Sequence, residues 1–536
     1  MAQTRARGSA RSSERFSTVT PNTIPRSSFD RSHSHKTTLD SANLVPIYIE
    51  EVLPGDTWHL RPAFFARMAT PLKPFMDGVH LDYQFFFTPL RLLWDNFVRM
   101  MGERPDPADH NDYTIPQMVP PPGGHVVGSL SDYLTLPVMI DGNFTHSSLF
   151  HRNYNLIFRE WYRDENLVDP PIVDMDDGPD LSTDYPLLKR GKRKDYLTGS
   201  LPFAQKGDPV ELPLGTTAPV VATTANDPEF ISGVSGPYPL TRNAASPGIT
   251  SVDILVDSGD AGGVDKDLIW GTTGLETDLS NASGSTLNEM RTAIAIQHVL
   301  EIDARGGTRY VEHNLAHFGV VSDDIRHHRP QLLATGSVPV QVSPVVDQTG
   351  VNDNLGSLAA FATAAIVGRG FMDSFKEHGI IMGIVSIRAE LTYQRGVNRM
   401  FTRLTRYDHA FPSFAHLGEQ AVESREIYVD GTGDIAAKTG DYSTWGFQPR
   451  FEEYRHRQSI ITGEFRSIFP SSLDVWHVSQ DFLSRPVLNE AFIEENPPIA
   501  RVVVLDIGPE FLLDSFYKVK AVRPLPKYGK PGMTRF

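Results

Sequence analysis

Runs of β-branched and aromatic residues stand near both ends of this 536-residue chain, and a fold has to bring them together. Near the start come LVPIYIEEV from Leu44 and HLDYQFFFTPL from His80, bounded by the turn sequences Pro54-Gly55-Asp56 and Met76-Asp77-Gly78. The last third predicts further strands in GIIMGIVSIRAEL from Gly379, REIYVD from Arg425, EFRSIF from Glu464, RVVVLDI from Arg501 and FYKVKAVRPL from Phe516. The 40 Pro and 42 Gly are spread along the chain, which favours short strands and many turns over long helices. Sequential short strands predict a mainly β sandwich. Strands supplied from both ends, with long helix-containing insertions between them, fit an eight-stranded jelly roll closed by distant pairings.

Helical spacing appears in three places. Residues 91–101 place Leu92, Leu93, Phe97, Met100 and Met101 near one face, and residues 148–166 carry Leu149, Phe150, Leu156, Ile157, Phe158, Trp161 and Tyr162. Residues 286–304 read best as a helix, with Leu287, Met290, Ile294, Val299 and Leu300 on an apolar face and Gly306-Gly307 as its stop. Residues 208–285 are rich in Gly, Ala, Thr, Ser, Pro and Asp, with only sparse strand-like pieces such as TSVDILVD from Thr250. This stretch reads as a surface insertion, because long loops add little closure entropy and tolerate variation.

Length alone suggests about three or four domains, but a sandwich enlarged by its loops accommodates the same residues, and 26–536 reads as one domain with insertions. With no Cys, disulfides, thiolate metal sites and thiol nucleophiles are excluded. No apolar run approaches the roughly 18 residues that span a bilayer, so no membrane insertion is expected. Net charge is -15, yet the first 36 residues set Arg5, Arg7, Arg11, Arg15, Arg26, Arg31 and Lys36 against only Glu14 and Asp30. Residues 1–25 therefore read as a basic, extended arm with too few large apolar groups to order itself. The arm lacks the apolar segment of about 7–15 residues that a secretory signal needs.

No catalytic constellation in the sequence is complete. His313 and His317 have the i,i+4 spacing of a zinc-protease helix, but Asn314 stands where the general-base Glu belongs, so a hydrogen-bonded pair is the expectation. GTGDIA from Gly431 mimics a dinucleotide fingerprint without the helix that should follow, and reads as a Gly-rich turn. Asp174, Asp176, Asp177 and Asp180 cluster like a calcium loop, but Gly178 falls one position early and Tyr185 replaces the bidentate Glu, which leaves a solvated acidic loop. Asp323, Asp324, His327 and His328 read as interface residues, and His33 with His35 is a weak metal signal. There is no Gly-x-Ser-x-Gly elbow and no phosphate-binding Gly-Lys-Ser/Thr loop. A carbohydrate-binding jelly-roll module, working through exposed loop aromatics, is the alternative from another class.

A long ordered set of motifs decides between these readings. It comprises Ser28-Phe29-Asp30 and Lys36-Thr37-Thr38, then LVPIYIEEVLPGDTW from Leu44, FARMATPLKPFMD from Phe65 and FFFTPLRLLWDNF from Phe85. KRKDYLTGSLPFAQKG follows from Lys192, RTAIAIQHVLEIDARGGTRYVEHNLAHFGV from Arg291 and RPQLLATGSVPVQVSPV from Arg329. Further blocks begin at His378, Trp445 and Val475, and DSFYKVKAVRPLPKYGKPG closes the series from Asp514. The set resembles the major capsid protein of the Microviridae, small single-stranded DNA phages, and specifically the gokushovirus branch.

The resemblance implies a viral jelly-roll core and copies that self-assemble into a T=1 icosahedral shell around a circular ssDNA genome. It implies no catalysis, and because no motif above is complete, no cofactor and no metal are expected. Partners would be an internal scaffolding protein, a small basic DNA-packaging protein, a DNA pilot protein and a host surface receptor. The last would be met by a three-fold protrusion in the interval 208–285. The protein would reside in the virion, and in the host cytoplasm during assembly. For such a protein, basic residues interleaved with aromatics suit ssDNA, because cations neutralise phosphates and rings stack on unpaired bases. The candidates are Arg5, Arg7, Arg11 and Arg15 of the arm and Lys518, Lys520, Arg523, Lys527 and Lys530 near the end, with Phe16, Tyr517 and Tyr528 as stacking rings. Ordinary surface or inter-subunit charges explain the same residues equally well.

Overall fold

Two antiparallel sheets carry most of the buried apolar side chains. The computed structural model describes residues 25–106, 108, 110–140, 144–210, 220–222, 229–232, 235–242, 254–256, 268–270, 275–277, 286–321, 329–346, 356–390, 392–504 and 508–528. Numbering only the strands of these two sheets, they are β1 (Ser27–Asp30), β2 (His33–Leu39), β3 (Val45–Val52), β4 (Thr57–Met68), β5 (Val79–Pro89), β6 (Gln331–Pro339), β7 (Gln341–Val346), β8 (Leu358–Val367), β9 (Phe371–Ser374), β10 (Gly379–Ala389) and β11 (Phe511–Arg523). The first sheet runs β1-β11-β4-β8-β7, with β2 also on β11 and β9 also on β4; the second runs β6-β5-β10-β3.

The two ends of the chain meet in the first sheet, where β11 pairs with β4 from Phe511↔Met68 to Val522↔Thr57 and with β2 and β1 on its other side. Alternation explains the register. Phe511, Leu513, Tyr517, Val519 and Ala521 of β11 and Trp58, Leu60, Phe64, Ala66 and Met68 of β4 are buried and join one core, while the positions between them point outward. Leu81, Tyr83, Phe85 and Phe87 of β5 and Ile381, Val385 and Ile387 of β10 enter that core from the second sheet, an arrangement consistent with a β-sandwich. Each fully buried side chain of this size contributes about 1.5–3 kcal/mol.

The second sheet is covered on both sides, which is why β5 and β10 read as continuous apolar runs. On its far side Phe86, Met382 and Ile384 pack with Tyr154 and Ile157 of the helix Leu149–Ile157 and with Phe158 beyond it. Gly336 lies opposite Tyr83, and a Cβ there would collide with the tyrosine ring, so the glycine makes room for it.

β4 is a strand the sequence reading does not anticipate, because Pro62 interrupts its apolar alternation. The proline sits between the stretch paired with β9 (57–60) and the stretch paired with β8 (63–67), where no ladder partner needs its missing N–H. Conversely, three expected strands are not strands. REIYVD opens as the 3-10 turn Ser424–Glu426, EFRSIF holds the 3-10 turn Gly463–Phe465, and RVVVLDI follows the 3-10 turn Ile499–Arg501 with a single bridge from Val503 to Pro71. Residues 505–507 of that last run lie outside the described residues. Ile427, Val502 and Val503 are buried all the same. Their apolarity serves packing without a ladder, a distinction a short run cannot carry.

The expected helix over 91–101 is split into the 3-10 turn Leu90–Leu92 and the single α-turn Phe97–Met100, because Trp94 and Asn96 between them turn to donate to Asp177. The helix over 148–166 is shorter, Leu149–Ile157, and continues as the wider turn Phe158–Tyr162. Leu287–Arg305 is helical as expected, but Leu287, Met290, Ile294 and Val299 are exposed and Ala304 is its buried residue.

By contacts the chain forms two compact units, one holding the residues up to Ala204 and from Asp303 onward, the other Gln205–Ile302. The second unit holds a four-stranded antiparallel sheet of Glu229–Ser232, Ser235–Arg242, Ile254–Val256 and Leu268–Trp270, and the pair Val220–Ala222 with Leu275–Thr277. Among the described residues no helix is long and apolar enough to cross a membrane.

Candidate nucleic-acid interface

The first sheet has one face in the core and the other exposed. Because side chains alternate, the outward set is fixed by the same register that buries the inward set. β11 turns out Leu512, Asp514, Phe516, Lys518 and Lys520; beside it β4 turns out Arg67, Phe65, Arg61 and His59. Lys518 stands opposite Arg61 and Lys520 opposite His59, so four cationic or titratable side chains form one block. Next to that block, Phe516 and Phe65 are about half exposed, at 49% and 47%, and Phe361 of β8 and Met372 of β9 extend the ring-bearing, apolar part.

Charge balance favours an anion here. Among the described residues Arg61, Arg67, Lys518 and Lys520 make no ion pair, whereas Lys36 of β2 is paired with Asp514 at 3.2 Å. The Asp30 carboxyl, across from Lys520, is held below the usual carboxylate range by hydrogen bonds from the Ser32 hydroxyl and amide, with Lys518 and Lys520 pulling the same way. A cationic block flanked by exposed rings is the combination that binds single-stranded nucleic acid without regard to sequence.

The other expected residues are distributed differently. Arg523 leaves the exposed face: it donates to the fully buried Asp56 at 2.9 Å and to the Glu51 carbonyl, and lies 5.0 Å from the Trp58 ring. Tyr517 is not a stacking ring for bases. It is fully buried, its hydroxyl donates to the Ile47 carbonyl at 3.0 Å, and its ring meets Tyr48 at 5.0 Å, because position 517 has inward parity. Tyr528 is exposed, with Lys527 5.8 Å from its ring. Arg5, Arg7, Arg11, Arg15, Phe16 and Lys530, and Asp323, Asp324, His327 and His328, lie outside the described residues.

The chain matches the family model described as Capsid protein (F protein) over residues 17–533. It is 40% identical to the capsid protein VP1 of Bdellovibrio phage phiMH2K, with 98% of each chain aligned. It is 37% identical to capsid protein VP1 of Chlamydia phage 1, over 97% of this chain and 98% of that one, and 31% identical to capsid protein VP1 of Spiroplasma virus 4, over 97% of each. The chain belongs to the phage capsid F protein family. This capsid protein is a structural protein of the virion and not an enzyme.

Two polar constellations of the capsid protein differ from what sequence alone suggests. The acidic loop is solvated only in part: Asp174, Asp176 and Asp177 are exposed as expected, but Asp180 is buried and receives Arg152 Nε at 2.7 Å and Nη2 at 2.5 Å, while Asp176 receives Nη2 at 3.0 Å and Asp177 accepts from Trp94 and Asn96. Despite the cost of burial, the Arg152 and Tyr185 bonds hold the Asp180 carboxyl below its usual range. The second is the densest basic run, Lys189, Arg190, Lys192, Arg193 and Lys194, which sequence reasoning missed. Most of its members line a cleft with Arg163, Arg305 and Arg388, yet most are already used. Arg190 and Arg388 bind Asp82 at 3.1 and 2.5 Å, Lys194 binds Asp164, Arg305 binds Glu419, and the buried Lys192 lies 4.2 Å from the Phe492 ring. Arg61, Arg67 and Phe65 escape notice because β4 does; the period-two alternation of TWHLR and FFARM on either side of Pro62 is the available signal. GTGDIA is a turn as expected, with Gly431 and Gly433 at positive φ and Asp441 accepting the Gly431 amide.

Proposed function

We propose that copies of this chain form a T=1 icosahedral shell enclosing a circular single-stranded DNA genome, and that its two-sheet core is an eight-stranded viral jelly roll. The observation that carries this is similarity to capsid proteins VP1 along 97% or more of the chain. Exposed Phe401, Leu404, Ile460, Leu483 and Val487 supply the apolar surface that a shell without covalent staples has to bury between subunits. The exposed face of the first sheet, with Lys518, Lys520, Arg61 and Phe516, faces the genome in this reading, and the basic arm of residues 1–25, with Arg5, Arg7, Arg11 and Arg15, binds DNA alongside it. Residues 208–285 form the three-fold protrusion that meets the host. An internal scaffolding protein, a small basic packaging protein and a pilot protein act with it in the host cytoplasm. Expression of the chain with a scaffolding partner, followed by negative-stain electron microscopy and sedimentation, should give uniform icosahedral particles. A chain that stays monomeric with its scaffold would overturn the proposal.

A further inference from the structure

The histidine pair that sequence alone reads as hydrogen-bonded has a third neighbour. Asp303, in the last turn of Leu287–Arg305, comes back onto His313 and His317 of the helix Tyr310–Phe318. The turn between the helices is tight: Gly307 has φ +92, and a Cβ there would collide with Glu312. Arg309 then fastens the second helix, pairing with Glu160 at 3.5 Å, with Glu312 at 3.1 Å and with Glu165, and donating to the Arg159 carbonyl at 2.6 Å. The start of the second helix is therefore tied to residues 159–165.

We propose that Asp303, His313 and His317 bind one divalent transition metal ion, with zinc as the expected occupant. Asp303 Oδ1 is 2.7 Å from His317 Nε2 and 3.8 Å from His313 Nε2, and the three ligand atoms lie within 4.8 Å of one another. Donors about 2 Å from a tetrahedral ion stand about 3.3 Å apart, between the two separations from Asp303, so adjustment of the side chains brings the three donors onto one ion. His313 is the second observation. Its Nδ1 is buried without a partner and its Nε2 is too far from Asp303 for a hydrogen bond, so the ring makes none among the described residues, although it lies 4.4 Å from the His317 ring. Nε2 faces Asp303 at 3.8 Å, too long for a hydrogen bond and the kind of gap that an ion shared with the neighbouring His317 ring would fill.

The donor set, two imidazoles and one carboxylate, suits zinc, cobalt or nickel and not calcium or magnesium, which take oxygen donors. His313 is 43% exposed, leaving the fourth position open to water or to a donor from another molecule. Within one subunit the ion would clasp the end of the first helix to the second.

Cobalt is the probe. The full chain, stripped with chelator, is titrated with Co2+ and read by visible d–d absorption, and thermal melting is followed with and without Zn2+. One Co2+ per chain is expected, weakened at least about tenfold in His317→Ala, His313→Gln and Asp303→Asn. His313→Gln, at a part-exposed position, guards against loss of fold, and His146→Ala should leave binding unchanged. Zinc should raise Tm in the wild type and not in His313→Gln. Absence of d–d bands, or binding that survives His313→Gln and His317→Ala, overturns the proposal.

Discussion

At the residue scale the largest stakes lie in buried charge. Arg152 is fully buried and spends its guanidinium on Asp180, Asp176 and the carbonyls of Leu93 and Asp176, so it ties the helix Leu149–Ile157 to the acidic loop. Removing one partner leaves the other charged and dry. Arg152→Met should destabilise the subunit by about 3–5 kcal/mol, read from denaturant unfolding of the unassembled chain. Nothing local to Asp176 or Asp180 announces this partner, since Arg152 arrives from another element.

Nearby, His151 hydrogen-bonds with Ser131 at 2.9 Å and stacks on His146, whose Nε2 neighbour is His125. Burial pushes the His151 imidazole down to about 3, with His146 and His125 adding repulsion and Asp180 opposing them. Burial lowers His125 and His146 as well. Below the unfolded value near 6.5 the unfolded chain binds protons that the native chain refuses, so stability is full above that pH and falls as pH drops toward 3. The expected slope is about 1.4 kcal/mol per pH unit for His151 alone. Unfolding midpoints compared between pH 7 and pH 5 should fall less in His151→Gln than in the wild type.

At the element scale, β11 and β4 illustrate what patterning carries. The alternation of FYKVKAVRPL correctly foretells a strand and, with it, that Lys518 and Lys520 share a face. The same parity places Tyr517 on the opposite face, which the structure buries in the core. If the exposed face binds the genome, Lys518→Gln with Lys520→Gln should weaken binding of oligo-dT to the purified subunit at every salt concentration. It should also flatten the log–log salt dependence by about 1.4, about 0.7 for each phosphate no longer neutralised. An unchanged slope would place the DNA on another surface. Phe516→Ser, tested alongside, should cost about 1–3 kcal/mol for each base it stacks.

At the scale of the whole molecule, residues 208–285 are separable from the shell's strands in the proposed reading. Replacing them with a Gly/Ser linker of about ten residues should leave particles that sediment normally and yet fail to adsorb to the host. Particles that adsorb as before would remove the host-contact role. The exposed stripe of Leu287, Met290, Ile294 and Val299 marks a related limit, because periodicity predicts that a helix has an apolar face and not what covers it.

The amino-acid sequence by itself determined the strand-rich class, the family, the helix Leu287–Arg305 and the absence of disulfides, all of which depend on composition, local period or an ordered set of motifs. Tertiary structure alone decided which face of the first sheet stayed open, which aspartates Arg152 neutralised and how Asp303 reached His313 and His317. These depend on approaches between residues far apart in the chain, such as the Tyr517 hydroxyl on the Ile47 carbonyl 470 positions away. Local pattern specifies what a segment can bury, and only closure of the fold specifies against what.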